Sequence, residues 1–233
     1  VVAPRCTADS WKSAGFSLDK FSFFDGVFEV SWTRGLELGE SLLEELKIEK
    51  YEYAIVRTEE KKASYYSAYA GYPEPTNLRP IVDALVEEGL RVVLLPRYPD
   101  QAEYVKNLYG DDISILERGV EIQSLEAFAC LVATGGTTLA VESSLLGTPS
   151  ITTFPRPIDT VQWIAERGFP LAWIPDVERA AEFAREIASD PPTYRRDVRG
   201  LLAELEDPLE LVVELIEELY EGRREIARLK STY

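Results

Sequence analysis

The stretch Leu131-Val-Ala-Thr-Gly-Gly-Thr-Thr-Leu-Ala-Val-Glu-Ser-Ser-Leu-Leu-Gly-Thr-Pro149 decides how this 233-residue chain is read. Leu131-Val132-Ala133 is continuously apolar, as a strand buried on both faces should be. The strand ends at Thr134, Gly135-Gly136 turn the chain, and a helix starts near Thr137. Gly147 closes that helix and Pro149 prevents its continuation. A helix start behind a glycine turn presents free N–H groups and a partial positive charge, which suits phosphate or pyrophosphate. Thr134, Thr137 and Thr138 add hydroxyl donors.

Glu142 is the only charged residue between Leu131 and Pro155. Its helix is otherwise small and apolar, so the carboxylate needs a partner; burying it alone is costly. It lies within reach of a ligand held at the helix start, where a ribose diol would satisfy it. Taken singly, both features have plain structural readings: a common glycine turn, and a solvated helix face. Together, in a chain with no Walker motif and no G-x-G-x-x-G, they favour a ligand.

Outward from this stretch, strands and helices alternate. Short β-rich runs stand at Tyr53–Arg57, Arg91–Pro96, Ile113–Leu116, Cys130–Thr134, Ser150–Phe154 and Leu171–Ile174. Helical patterns lie at Leu78–Glu88, Gln101–Tyr109, Thr138–Leu146, Asp159–Glu166 and Val177–Ala188. This predicts an α/β, Rossmann-like parallel sheet of about six strands with helices on both faces. Ligands of such sheets bind at the carboxyl ends of the strands.

Arg57 and Arg97 each follow a strand at that edge, and arginine suits bidentate phosphate recognition. The alternative for each is a surface ion pair. Gln101 reads as a helix-surface residue. The segment 58–75 is polar and carries Tyr65, Tyr66, Tyr69 and Tyr72, either a loop over the cleft or a surface packed on a neighbouring domain. Arg156 and Asp159 follow the fifth strand, with Asp159 read as a helix cap. Arg195, Arg196 and Arg199 read as a solvated face.

Residues 1–50 differ from the rest. Val1–Pro4 reads as the tail of a strand, and Val27–Trp32 as an edge strand. Phe16, Phe21, Phe23, Phe24, Phe28 and Trp32 crowd this segment, which implies packing on a larger body. A short helix at Ser41–Leu46 leads into the main domain. The last helix runs from Pro208 to about Lys230 behind an Asp207 cap, with Leu209, Leu211, Val212, Leu215, Ile216, Leu219 and Tyr220 as its apolar stripe. Its basic residues, Arg223, Arg224, Arg228 and Lys230, fall toward its end.

Lys plus Arg total 25 against 41 Asp plus Glu, a net charge of −16. With no local basic patch, nucleic acid and anionic membrane surfaces are not expected partners. There is no histidine, which removes His-based triads, bases and metal ligands, and no metal or cofactor is expected. Cys6 and Cys130 lie far apart and fit a reducing, cytoplasmic setting; Cys130 reads as a small core residue. No run of apolar residues is long enough to span a membrane. The chain opens Val1-Val2-Ala3-Pro4 without a methionine, which reads as a cut or an incomplete record of a longer protein.

Gly135-Gly136, Glu142 and Leu146-Gly147-Thr148-Pro149 resemble the C-terminal domain of GT-B-fold nucleotide-sugar enzymes. Relatives of that class include the peptidoglycan N-acetylglucosaminyltransferase and the non-hydrolysing UDP-N-acetylglucosamine 2-epimerase. The chain is most similar to an uncharacterised, largely archaeal GT-B-like family. Asp25-Gly26 through Trp32, Val56-Arg57, and Leu95-Pro96-Arg97-Tyr98 through Gln101 extend the match.

The resemblance implies that the glycine turn contacts a nucleotide pyrophosphate and that Glu142 binds ribose hydroxyls. It implies a glycosyltransferase-like protein taking a UDP-type nucleotide sugar, with an epimerase as the lesser reading. Residues 1–50 would then be the end of a truncated N-terminal domain plus linker, with Val1–Ala3 as that domain's last strand. Residues 51–206 would be the Rossmann-like nucleotide-binding domain, and 207–233 a helix packing back toward the N-terminal segment. The missing N-terminal domain or a second copy of the chain would be its protein partner. No catalytic residue is assigned, because the base in related transferases often lies in that first domain. The competing reading is a non-catalytic anion-binding or scaffold module working through the aromatic segment.

Overall fold

The computed structural model of the chain describes residues 1–64, 66 and 74–231, with side chains through residue 222. The N-terminal segment pairs β1 (Val2–Pro4) in parallel with β2 (Ser22–Phe24), with α1 (Ala8–Ser13) between them. Two short helices, α2 (Val30–Thr33) and α3 (Ser41–Leu46), lead on to the main sheet.

The edge strand expected at Val27–Trp32 does not form. Val30 N–H bonds Val27 O and Thr33 N–H bonds Glu29 O, so the chain turns into α2. Val27 and Val30 are buried in one cluster. A strand would send residues three apart to opposite faces, whereas a helix keeps them together.

The main sheet contains β3 (Tyr53–Arg57), then α4 (Arg79–Glu87), β4 (Arg91–Leu95), α5 (Pro99–Tyr109) and β5 (Ile113–Ile115). It continues with α6 (Gln123–Phe128), β6 (Leu131–Thr134), α7 (Thr138–Leu145), β7 (Ser150–Thr152), α8 (Asp159–Glu166) and β8 (Leu171–Trp173). After it come α9 (Val177–Ser189), α10 (Pro191–Tyr194), α11 (Arg199–Ala203) and α12 (Pro208–Ser231). The six strands are parallel, in the order β5-β4-β3-β6-β7-β8.

Helices cover both faces. Ala54 and Val56 of β3 pack with Leu78, Ile81 and Ala180 on one side, while Tyr53 and Ile55 pack with Leu43 and Leu125 on the other. Leu131 and Val132 divide the same way in β6. Burying each such aliphatic side chain contributes about 1.5–3 kcal/mol.

The strand order reverses between β3 and β6. The chain leaves β3 toward β4 and β5, then returns beyond β3 to build β6, β7 and β8. Loops after β3 and β6 therefore diverge and open a crevice at the carboxyl edge of the sheet.

Two expectations for the C-terminal part need correction. Asp159 is the first residue of α8, and its side chain makes no cap bond. Arg195 is not a solvated residue: Nη2 donates to Ala129 O at 2.5 Å and to Thr148 Oγ1 at 3.1 Å, tying the segment before α11 to the main sheet. Arg196 and Arg199 remain outside.

Asp207 caps α12 by accepting from Leu209 N–H at 2.9 Å, and it also accepts from Ser31 Oγ at 2.6 Å. The start of α12 thus rests on the N-terminal segment. Its apolar stripe is only partly covered: Leu211, Val212 and Leu215 are half-buried, while Leu209, Ile216, Leu219 and Tyr220 are exposed. Arg223, Arg224, Arg228 and Lys230 lie beyond the described side chains.

The aromatic segment also divides. Phe24 is buried, Phe21 and Phe23 stack at 5.5 Å half-buried, and Phe16 and Phe28 are exposed. Among the described residues, no helix is long and apolar enough to cross a membrane.

Candidate nucleotide site

All eight residues singled out for ligand binding line one cavity of about 460 Å³ in this crevice: Arg57, Arg97, Thr134, Gly135, Gly136, Thr137, Thr138 and Glu142. Tyr66, Ile122, Leu139 and Phe154 add an apolar side, and Tyr66 meets Phe154 edge-on at 6.4 Å. Arg156 and Asp159 do not line it. Tyr65, Tyr69 and Tyr72 fall outside the described residues.

The glycine turn is anchored from behind. Gly135 N–H bonds Arg57 O at 3.1 Å, continuing the β3–β6 ladder past the last strand residue. Gly136 N–H bonds Thr134 Oγ1 at 3.0 Å, and Thr152 Oγ1 donates to Gly136 O at 2.5 Å. Thr134 Oγ1 therefore braces the turn as an acceptor, and Gly136 N–H is already engaged. The amides that open α7, at Thr137 and Thr138, remain to face the cavity, as the first amides of a helix have no partner within it. Gly135 has to be glycine, since a Cβ there would run into the backbone of Glu59.

Arg57 is half-buried and forms no ion pair or hydrogen bond among the described residues. Burial, and next the nearby Arg97, push its guanidinium below the ordinary range. Two like charges thus stand near each other at the crevice, with Glu126, Glu142 and Glu60 acting on Arg57 from a distance. Arg97 is held loosely by Glu60 at 3.8 Å.

Glu142 is 5 % exposed. Burial raises its pKa; Gln123 Nε2, donating to Oε1 at 2.9 Å, the Trp32 side chain and Arg57 counter that rise. Glu29, at the start of α2, is pushed up to about 7, chiefly by burial and further by the charge of Glu142. Cys130 is buried, as expected.

Gln101, expected on a helix surface, is fully buried and joins three segments. Its Oε1 accepts from Thr58 Oγ1 at 2.6 Å, Arg97 N–H at 3.0 Å and Tyr98 N–H at 3.1 Å. Its Nε2 donates to Glu59 O at 3.1 Å and Pro75 O at 3.2 Å. Every polar group of the amide is used, so Gln101 sets where Arg97 leaves β4.

Glu59 is buried as well, accepting from Thr76 Oγ1 at 2.7 Å and Asn77 N–H at 2.9 Å. In sequence it belongs to a charged run, Glu59-Glu60-Lys61-Lys62, with no sign of burial. Gln123 and Glu126 were missed because α6, only six residues long, has no helical repeat to reveal it. Among the described residues no group of three or more Cys, Asp or Glu side chains is placed to hold a metal ion.

A parallel sheet in this order, with a glycine turn and helix start at its switch point, defines a doubly wound, Rossmann-like α/β protein. The chain belongs to the family described as "Protein of unknown function (DUF354)", whose model matches residues 1–221.

Among solved structures it is similar to the UDP-GlcNAc 2-epimerase of Methanocaldococcus jannaschii, solved with UDP-GlcNAc and UDP. The TM-score is 0.60 at 16% identity, over 90% of this chain and 58% of that one. It is similar to Anabaena HepE, solved with UDP and glucose, at TM-score 0.55 and 15% identity, over 95% and 63%. It is also similar to the wall teichoic acid polymerase TagF, at TM-score 0.57 and 12% identity, over 96% and 58%. The chain thus spans about three fifths of the length of these structures. No curated protein matches it.

Proposed function

We propose that the cavity binds the nucleoside diphosphate part of a UDP-type nucleotide sugar, and that the chain is the donor-binding part of a glycosyltransferase-like protein. The carrying observation is the meeting, at one switch point, of an unpaired Arg57, the start of α7 and the buried Glu142. The diphosphate sits at the amides of Thr137 and Thr138, between Arg57 and Arg97. The ribose diol donates to Glu142. Groups of positive potential placed where a diphosphate leaves stabilise the charge that develops on it. The cavity volume lies within the range of small-molecule sites.

In this reading residues 1–50 are the end of a preceding domain plus a linker, 51–206 the nucleotide domain and 207–233 its closing helix. Epimerisation of the same donor is the second chemistry open to the site. The likeness to structures solved with UDP supports the choice of base.

Calorimetric titration with UDP, GDP and ADP, beside Glu142→Ala, tests the reading. Binding that favours UDP and weakens in the variant is expected. Failure of all three nucleotides to bind defeats it and leaves a scaffold module, which the exposed Phe16 and Phe28 would suit.

A further inference from the structure

The carboxyl group of Glu126 is fully buried, and the pocket chemistry above makes no use of it. Oε2 lies 3.3 Å from Ser143 Oγ, and Oε1 has no hydrogen-bond partner among the described residues. Ser143 Oγ also lies 2.6 Å from Leu139 O, one turn earlier in α7. A hydroxyl carries one proton. A carbonyl oxygen can only accept, and its contact is the shorter of the two. Ser143 therefore donates to Leu139 O and turns lone pairs toward Glu126 Oε2. Two oxygens at that separation attract only when a proton lies between them, and Glu126 is the group that can supply it.

The alternative is costly. An ionised Glu126 would hold one anionic oxygen against a lone pair and the other against nothing, out of contact with water. A protonated Glu126 gives Ser143 a hydrogen bond and leaves only a neutral carbonyl oxygen without a partner.

The charged and titratable groups facing Glu126 are Glu142 from α7, with Arg57 and the Tyr53 phenol from β3. Burial and then Glu142 disfavour its anion; Arg57 acts the other way and more weakly, so its pKa stands well above the carboxylate range.

We propose that Glu126 is a neutral carboxylic acid donating to Ser143 Oγ, a positioning residue that leaves Glu142 as the charged member of this buried pair of glutamates. Arg57 lies within the field of both glutamates. Were both ionised, their combined charge would offset the guanidinium that faces the anion site. With Glu126 neutral, the field of Arg57 is left for the ligand. This consequence rests on the nucleotide reading; the protonation state does not.

Infrared difference spectroscopy on the whole chain in D2O at neutral pH tests the protonation state directly. Wild type minus Glu126→Gln should show a carboxylic-acid C=O band, and Ser143→Ala should shift that band by removing its acceptor. Absence of the band in wild type overturns the proposal. If Glu126→Gln does not fold, wild type against Ser143→Ala carries the same measurement: a shifted band supports the proposal, and no band overturns it.

UDP titration supplies the second readout. Because the amide mimics the acid, Glu126→Gln should bind within about twofold of wild type. A loss of about tenfold or more would mean that a charge on Glu126 had been removed, and would overturn the proposal. An acid band in a protein that binds no nucleotide would sink the nucleotide reading and leave the protonated Glu126 standing.

Discussion

Arg57 and Thr134 stand opposite each other as the last pair of the parallel ladder between β3 and β6. One strand therefore delivers a guanidinium, and its neighbour a glycine turn, to the same point of the sheet edge. No movement of either is needed to bring cation and helix start together.

Arg57→Ala should weaken UDP binding about tenfold or more, the worth of one charged hydrogen bond, and should make the remaining affinity less sensitive to salt. Arg57→Lys should recover only part, because an ammonium cannot make the forked contact. Calorimetry across a KCl series reads both. Equal affinity in Arg57→Ala and wild type would remove Arg57 from the site.

Glu142→Ala should weaken UDP by about ten- to a hundredfold, through lost hydrogen bonds to a charged acceptor. The variant should also lose discrimination between UDP and its 2′-deoxy analogue, which wild type should show. A Glu142→Ala protein that still prefers UDP would place the ribose elsewhere. Comparing the two ligands on the two proteins separates a ribose contact from general damage.

Gly135→Ala should destabilise the fold by about 1–3 kcal/mol, because its Cβ meets the backbone of Glu59, which cannot swing away. Gly119→Ala has open space around it and serves as the control. Urea denaturation of the three proteins makes the comparison; an unchanged midpoint for Gly135→Ala would contradict the packing.

Gln101→Leu should cost at least about 2 kcal/mol, since it strands the Tyr98 amide and the Thr58 hydroxyl and leaves Arg97 N–H with Thr58 Oγ1 alone. It should also weaken UDP through misplacement of Arg97. Thermal melts and titrations on the same sample distinguish these effects. Full stability in the leucine variant would show that the network is dispensable.

Glu29 makes stability depend on pH. Its folded pKa, about 7, stands above the unfolded value of 4.5, so between them the folded state holds a proton that the unfolded chain has released. Its contribution to stability is fully present below about pH 4.5, declines as pH rises, and is lost above about 7. Glu29→Gln should therefore gain more over wild type at about pH 8 than at about pH 5 in paired denaturation curves. A pH-independent difference would mean that Glu29 titrates normally.

The sheet was legible because its signals are local. Tyr53–Arg57 and Leu131–Thr134 are runs that suit a strand covered on both faces, and Gly135-Gly136 mark the end of the second. The glycine turn and the isolation of Glu142 are local in the same sense: a few consecutive residues set the backbone conformation and the charge. That is why the cavity assembled from residues already singled out.

What remained hidden depends on partners distant along the chain. Gln101 looks like any helical glutamine until Thr58 and Pro75 close around it, and Arg195 like any surface arginine until Ala129 and Thr148 meet it. Glu126 gains its character only when α6 is laid against α7, where burial and the charge of Glu142 act on it together. Sequence spacing encodes which residues share a face of one element. It does not encode which side chain of another element lies opposite, and the environment of a polar group is set by that second choice.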